Sequence, residues 1–258
     1  VRNVAEGRDD GEALRTGLVD MGLTGMLVPH NFGGLDLGML DVTVTSGALG
    51  GAAAPVGFVG PMVMAPIAIR LGASESQQEA WFPGMLSGDI RFSVAVSGQI
   101  GRRGGRAVRA EDGALHGEAL FALDAADATA FLVADEAGHL HVVQADAPGL
   151  EIVPLTTVDK TRGYALLRFD NAPAERLPGS TDVEVVARTI QAGRIALAAD
   201  TLGAAQTMLD RAVAYAKERR QFNRVIGSFQ AVKHMCAEMA AALEPCRAMV
   251  WHAGYAYD

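Results

Sequence analysis

The hydrophobic period of this chain changes twice, and that double change constrains the fold more than any single motif does. Up to residue 90 the pattern is helical and interrupted by glycine turns. Residues 12–21 read as a helix, and GLTGMLVPHNFGGLDLG then threads Gly22, Gly25, Pro29, Gly33, Gly34 and Gly38 through a loop that no regular element accommodates. Further helices are expected from Met39, across Pro61 to Leu71, and after Ser74, whose hydroxyl suits a cap ahead of Trp81 and Phe82. From 91 to 179 the signal is strands: RFSVAVSG, RAVRAEDGALHGEAL, ATAFLVADEAGHLHVVQAD and TRGYALLRFDN run apolar or alternate between Asp-Gly, Ala-Gly and Pro-Gly turns. From 180 to 258 the helical period returns. Val186, Ile190, Leu197, Leu202 and Leu209 share one face and Phe229, Val232, Cys236, Met239 and Leu243 another, so two long helices joined by about eight residues should run antiparallel. The expected fold is α+β: an N-terminal helical domain (1–90), a middle antiparallel, barrel-like β-domain (91–179) and part of a C-terminal helical bundle (180–258).

At 258 residues the chain is long enough for two or three compact units with real cores. A net charge of −8 argues against general affinity for nucleic acid. No apolar run reaches the roughly 18 residues of a membrane span, because Arg70, Asp89 and similar residues interrupt the candidates. The start at Val1 shows no basic-then-apolar leader, so no secretory signal is expected, and further N-terminal sequence is expected to be missing. Cys236 and Cys246 fall on one expected helix, roughly 15 Å apart along its axis, too far to pair. A reduced, cytoplasmic setting follows from that usage.

Two charged stretches invite functional readings. GRRGGR, 101–106, lacks the interleaved aromatics of a nucleic-acid segment, which leaves a solvated loop or arginines near a phosphate-bearing ligand such as CoA. His139 and His141 should lie on one strand face, read as exposed rather than metal-binding for want of a third ligand nearby in sequence. The most specific stretch is ERRQFNRVIGSFQAVKHMCAEM, where arginines and an aromatic sit between the two long helices.

That stretch resembles the signature "E-R-x-q-F-G-x-p-i-x-x-f-Q-x-v-q-x-x-l-A-d-M" of the acyl-CoA dehydrogenase family. LVPHNFGGLDLGMLDV resembles the family's "P-x-x-x-G-G" loop, LGASESQQEAWFPGMLSGDIRFSVAVS its approach to the flavin, and TRGYALLRFDNAPAERLPG the turn ending its β-domain, so the resemblance covers nearly the whole chain. It implies FAD held between β-domain and bundle. By position, Arg219 and Gln221 would reach the FAD of a neighbouring subunit across a dimer contact, with Phe222 beside the flavin nucleotide and Gln230 on the adenosine. A guanidinium suits a pyrophosphate, and Ser228 is expected to cap a helix beginning at Phe229.

The middle motifs depart from the family pattern. Ser97 stands where "T-E-P-x-A-G-S-D" begins, followed by Gly98, Gln99 and Ile100 instead of the acidic and small polar residues. In GEALFALDA, Phe121 keeps the aromatic expected against the flavin, while Leu123 replaces a threonine, a loss of about 1 kcal/mol per hydrogen bond. The α-proton base of most members lies beyond Asp258; a minority place a glutamate before an arginine of the first bundle helix, and here Gly193 precedes Arg194, which keeps only a supporting role. Either the chain is truncated or another subunit supplies the base. The resemblance thus implies FAD-dependent α,β-dehydrogenation of an acyl-CoA, with electrons passing to an electron-transferring flavoprotein in a homo- or heterotetramer. The alternative is a catalytically silent or flavin-poor subunit of a heterotetramer.

Overall fold

The computed structural model describes residues 4, 6, 11–101 and 107–258. In chain order the helices are α1 (Glu12–Asp20), α2 (Met39–Ala52), a π-helical turn (Val59–Met64) running into α3 (Ala65–Gly72), and α4 (Glu75–Ser87). Then come β1 (Phe92–Ala95), the single turn α5 (Ser97–Ile100), β2 (Val108–Glu111), β3 (Ala114–Leu123), β4 (Ala130–Ala134), β5 (Leu140–Gln144), β6 (Leu150–Leu155), β7 (Tyr164–Pro173) and β8 (Glu175–Arg176). Helix α6 (Val183–Glu218), the short strands β9 (Arg220–Gln221) and β10 (Arg224–Val225), and helix α7 (Gln230–Tyr257) complete the order. Packing separates two compact units, Val1–Leu37 with Pro55–Arg194, and Gly38–Ala54 with Ile195–Asp258.

In the first unit the eight strands β1–β8 form one sheet of order β6-β7-β3-β1-β4-β5-β8, with β2 on β3. It is open, and one pair departs from the antiparallel expectation: β1 and β4 run parallel, Phe92 opposite Ala130. A parallel pair needs a crossover, and the β2–β3 hairpin supplies it, laying β3 antiparallel on one side of β1 before the chain returns as β4 on the other. The sheet centre is buried on both faces: every residue of FSVA and AFLVA is buried, the one polar side chain, Ser93, donating to the Leu123 carbonyl at 2.9 Å. Alternation sorts the two faces: Phe131 and Val133 join Leu115, Val143 and Leu167 in one β-core, all fully buried. Phe92 instead meets Trp81 of α4 edge to face, ring centroids 6.1 Å apart.

Local chemistry starts and ties down α4 as its sequence suggests. Ser74 Oγ accepts the Gln77 backbone N–H at 3.3 Å, and Gln77 Oε1 accepts that of Ser74 at 2.9 Å, a reciprocal cap. The same glutamine's Nε2 donates to Glu175 Oε1 at 2.7 Å and to the Arg176 carbonyl at 3.0 Å, fastening helix to sheet edge.

In the second unit α2 packs against α6 and α7 through glycines. A Cβ on Gly203 would run into the Gly47 carbonyl and one on Gly50 into that of Asp200, so the α2 and α6 backbones touch. Gly254 of α7 repeats the device, 3.1 Å from the Met39 carbonyl by the same measure. Helices α6 and α7 are antiparallel, Arg247 Nη2 donating to Gln206 Oε1 at 2.7 Å. Both cysteines lie on α7 and are free. Among the described residues no helix is long and apolar enough to cross a membrane.

Candidate functional site

Strand β3 slips register against β7 between Ala119 and Ala122. This bulge puts Phe121 at φ 60°, a left-handed conformation unusual for an aromatic residue, and leaves its ring 37% exposed. The Leu120 carbonyl beside it accepts the Ser97 hydroxyl, so the structure brings the two middle-domain candidates, Ser97 and Phe121, together. A cavity of about 550 Å³ opens here, its walls including Ser97, Gln99, Val108, Glu118, Leu120 and Glu136. Ser97 has spent its proton internally, which leaves its oxygen as an acceptor for a ligand. Leu123 pairs with Tyr164 and contributes no polar side-chain atom.

The second group belongs to the other unit. Phe222 and Asn223, at φ 51° and 60°, are the two central residues between β9 and β10, the double left-handed geometry of a type I′ hairpin turn. Phe222 is 87% exposed and meets Phe229 edge-on at 6.1 Å, while the Arg224 guanidinium lies 4.0 Å above the Phe229 ring. The Arg219 backbone is held at both ends: its N–H donates to Tyr215 O and its carbonyl accepts from Ile226 N, each at 2.8 Å. Arg219, Gln221, Phe222 and Gln230 are all exposed. The Ser228 cap does not form: α7 begins at Gln230 and Ser228 Oγ donates backward to the Val225 carbonyl at 2.7 Å, because the intervening turn is a 3₁₀ turn (Ile226–Ser228).

The histidines also depart from expectation. His141 is buried, 5% exposed, because Asp135 lies under the strand face: its Oδ2 is 3.0 Å from His141 Nε2 and 3.3 Å from His139 Nδ1. Burial holds the His141 pKa below its usual value, opposed by the Asp135 carboxylate and reinforced by Arg176. Burial of Asp135 works to raise its own pKa, but the His139 N–H and the His141 ring outweigh it and the net shift is downward. Nothing in the sequence marked Asp135 beyond its spacing from the two histidines. Among the described residues no group of three or more His, Cys, Asp or Glu side chains has metal-holding geometry. Five of the six GRRGGR residues, 102–106, lie outside the described residues, Gly101 alone being described.

Arg194 is exposed on α6. At Gly193 a Cβ would sit 2.6 Å from Met64 Sδ, so a glutamate there would displace Met64. The donor chemistry suits FAD: an exposed aromatic and a polar pocket in one unit, and an arginine, two glutamines and a second exposed aromatic at the hairpin and helix start of the other.

Comparison with known proteins defines the class. Residues 2–89 match the acyl-CoA dehydrogenase N-terminal domain and residues 183–258 the acyl-CoA dehydrogenase C-terminal domain. A variant of the Tcur3481-Tcur3483 steroid ACAD superposes with a TM-score of 0.85 at 30% identity, over 98% of this chain and 70% of that one. The chain belongs to the acyl-CoA dehydrogenase family. It is similar to acyl-CoA dehydrogenase FadE27 of Mycobacterium tuberculosis, 32% identical over 238 residues, 90% of this chain and 63% of the relative. It is also similar to FadE34 of the same organism, 31% identical over 256 residues, 95% of this chain and 32% of the relative. The chain thus spans less than two thirds of either relative's length. Glutaryl-CoA dehydrogenase from Mycobacterium smegmatis shares the fold, TM-score 0.81 at 22% identity, over 98% of this chain and 69% of that one.

Proposed function

We propose that this chain is the FAD-binding portion of an acyl-CoA dehydrogenase that introduces an α,β double bond into an acyl-CoA thioester and passes electrons to an electron-transferring flavoprotein. The observation that carries the reading is the β3 bulge, which exposes Phe121 in a strained backbone conformation beside the Ser97 pocket. Strain of this kind costs on the order of 1–3 kcal/mol, persists only where the surrounding structure enforces it and clusters at ligand sites.

FAD, when bound, supplies the hydride acceptor for the substrate's β-hydrogen. Phe121 would offer the ring system an apolar face, and the Ser97 oxygen would be free to accept a hydrogen bond from it. Arg219 and Gln221 would present a guanidinium and an amide to the phosphates, with Phe222 to pack on the nucleotide and Gln230 to bond the adenosine. The reading includes a tetramer, homo- or heteromeric, in which Arg219 and Gln221 of one subunit reach the FAD of a neighbour. Arg194 serves to order the catalytic region. The setting is cytoplasmic.

A second reading, a catalytically silent or flavin-poor subunit of a heterotetramer, is favoured by specific features. Gly193 closes the alternative base position against Met64, the Ser97 proton is already spent, and Leu123 carries no hydroxyl. Flavin quantified against protein separates the readings: about one FAD per chain, bleached by acyl-CoAs, supports the first, and a colourless chain that gains flavin only with a sister subunit supports the second.

A further inference from the structure

Helix α5 is one turn long, too short to hold itself, and it forms a wall of the pocket beside Phe121. Two side-chain bonds pin it. Ser97 Oγ donates to Leu120 O on the β3 bulge, and Gln99 Nε2 donates to the Asp135 backbone carbonyl at 2.7 Å. The position of that second anchor depends on what holds Asp135.

Asp135 sits at the start of the turn between β4 and β5, and all its polar atoms are engaged. Its N–H donates to His139 O at 2.9 Å, and its carbonyl also accepts from Gly138 N at 3.1 Å. Its Oδ1 accepts from His139 N at 2.8 Å, while Oδ2 faces both imidazoles. Its side chain is 6% exposed. A carboxylate this deep is costly to leave unmatched, and here it fastens the turn at His139 and the adjoining strand at His141. Arg176 of β8 stands beside His141, and Asp135 and Glu136 themselves line the pocket opposite α5.

We propose that Asp135 is a positioning residue for the FAD pocket: by locking the β4–β5 turn it fixes the carbonyl on which Gln99 hangs, and through Gln99 the turn that carries Ser97. The assignment of the pocket to FAD rests on the reading above. The hydrogen-bond chain from His141 through Asp135 and Gln99 to α5 does not.

The test combines amide hydrogen exchange with FAD titration on the whole chain. In Asp135→Asn, exchange should quicken in both 135–139 and 97–101, and the Kd for FAD should rise about tenfold, the worth of one such bond. Gln99→Met, isosteric but without a donor, should quicken 97–101 alone and weaken FAD by a similar factor. Gln99→His, with a ring N–H at comparable reach, should recover both, which a merely structural defect would not. The double variant should be no worse than Asp135→Asn. If Asp135→Asn fails to fold, His139→Ala, at a half-exposed ring, removes one of the carboxylate's partners and is read in the same way. The proposal is overturned if Asp135→Asn loosens 135–139 but leaves 97–101 as in the wild type, or if Gln99→Met changes neither exchange nor Kd. A wild-type chain that takes up no FAD overturns the FAD reading alone, and the exchange measurements then decide the positioning role by themselves.

Discussion

Both carboxylate oxygens of Asp258 accept the Met39 backbone N–H, each at 2.9 Å, joining the end of α7 to the start of α2 across 219 positions. Gly38, the residue before α2, has no side chain to do this, so a remote carboxylate satisfies a donor that the helix leaves open and sits at the positive end of its dipole. Asp258→Ala should destabilise the second unit by about 1 kcal/mol, the usual worth of a cap, as read by urea denaturation. An unchanged midpoint would show that Asp41, which accepts the Gly38 N–H at 3.1 Å, suffices.

The α2–α6 contact is set by backbone approach. Gly203→Ala would place a methyl group on the Gly47 carbonyl, and Gly50→Ala one on that of Asp200. Each should cost about 1–3 kcal/mol, despite alanine's better helix propensity, because rigid backbone cannot yield as a side chain does. Gly17→Ala in α1, where a Cβ meets nothing within 4 Å, is the control, and thermal midpoints should rank the three accordingly.

The Asp135–His141 pair predicts a pH dependence of stability. The folded pKa of His141 lies below the ordinary histidine value of 6.5, so the fold favours the neutral ring. That contribution is complete above about pH 6.5 and is lost as pH falls through the lower folded value. Asp135 adds the same sign further down, its stabilisation present above the ordinary carboxylate value of 3.8 and lost as pH falls through the lower folded value. Stability should therefore decline on acidification from about pH 6.5, and His141→Gln should flatten the upper part of that decline. Parallel profiles in mutant and wild type would remove His141 from the account.

Phe222 separates folding from binding. Its φ of 51° in a type I′ turn is one that glycine adopts freely, and its ring is 87% exposed. In Phe222→Gly, relief of about 1 kcal/mol of backbone strain offsets loss of the edge contact with Phe229, worth about 0.5–1.5 kcal/mol, so the melting temperature should barely move. Flavin affinity, in contrast, should fall by about tenfold or more if the ring packs on the nucleotide. Arg219→Ala should weaken FAD as strongly, and more so at low salt than at high. Wild-type affinity in both variants would remove the hairpin from the site.

Much of the architecture was legible because its causes are local. Ser74 and Gln77 carry a reciprocal cap within four residues, the runs in RFSVAVSG and ATAFLVADEAGHLHVVQAD mark strands, and the hairpin from Arg219 to Gln230 carries its motif in contiguous sequence. What the sequence concealed depends on distance or on backbone. No residue type signals that Phe121 turns left-handed, since the bulge arises from the register between β3 and β7. His139 and His141 read as an exposed face until the turn folded Asp135 beneath them. Ser228 has the right chemistry for a cap, but the 3₁₀ turn directs its hydroxyl backward.

By itself, then, the sequence determined where helices and strands form, which turns join them and to which family the chain belongs, because periodicity, capping and motif spacing act over a few residues. Only the tertiary structure decided the parallel pairing of β1 with β4, the exposure of Phe121 beside Ser97 and the anchoring of Gln99 on Asp135. Each of these brings together groups far apart in the chain, and their energies exist only once the intervening segments have folded.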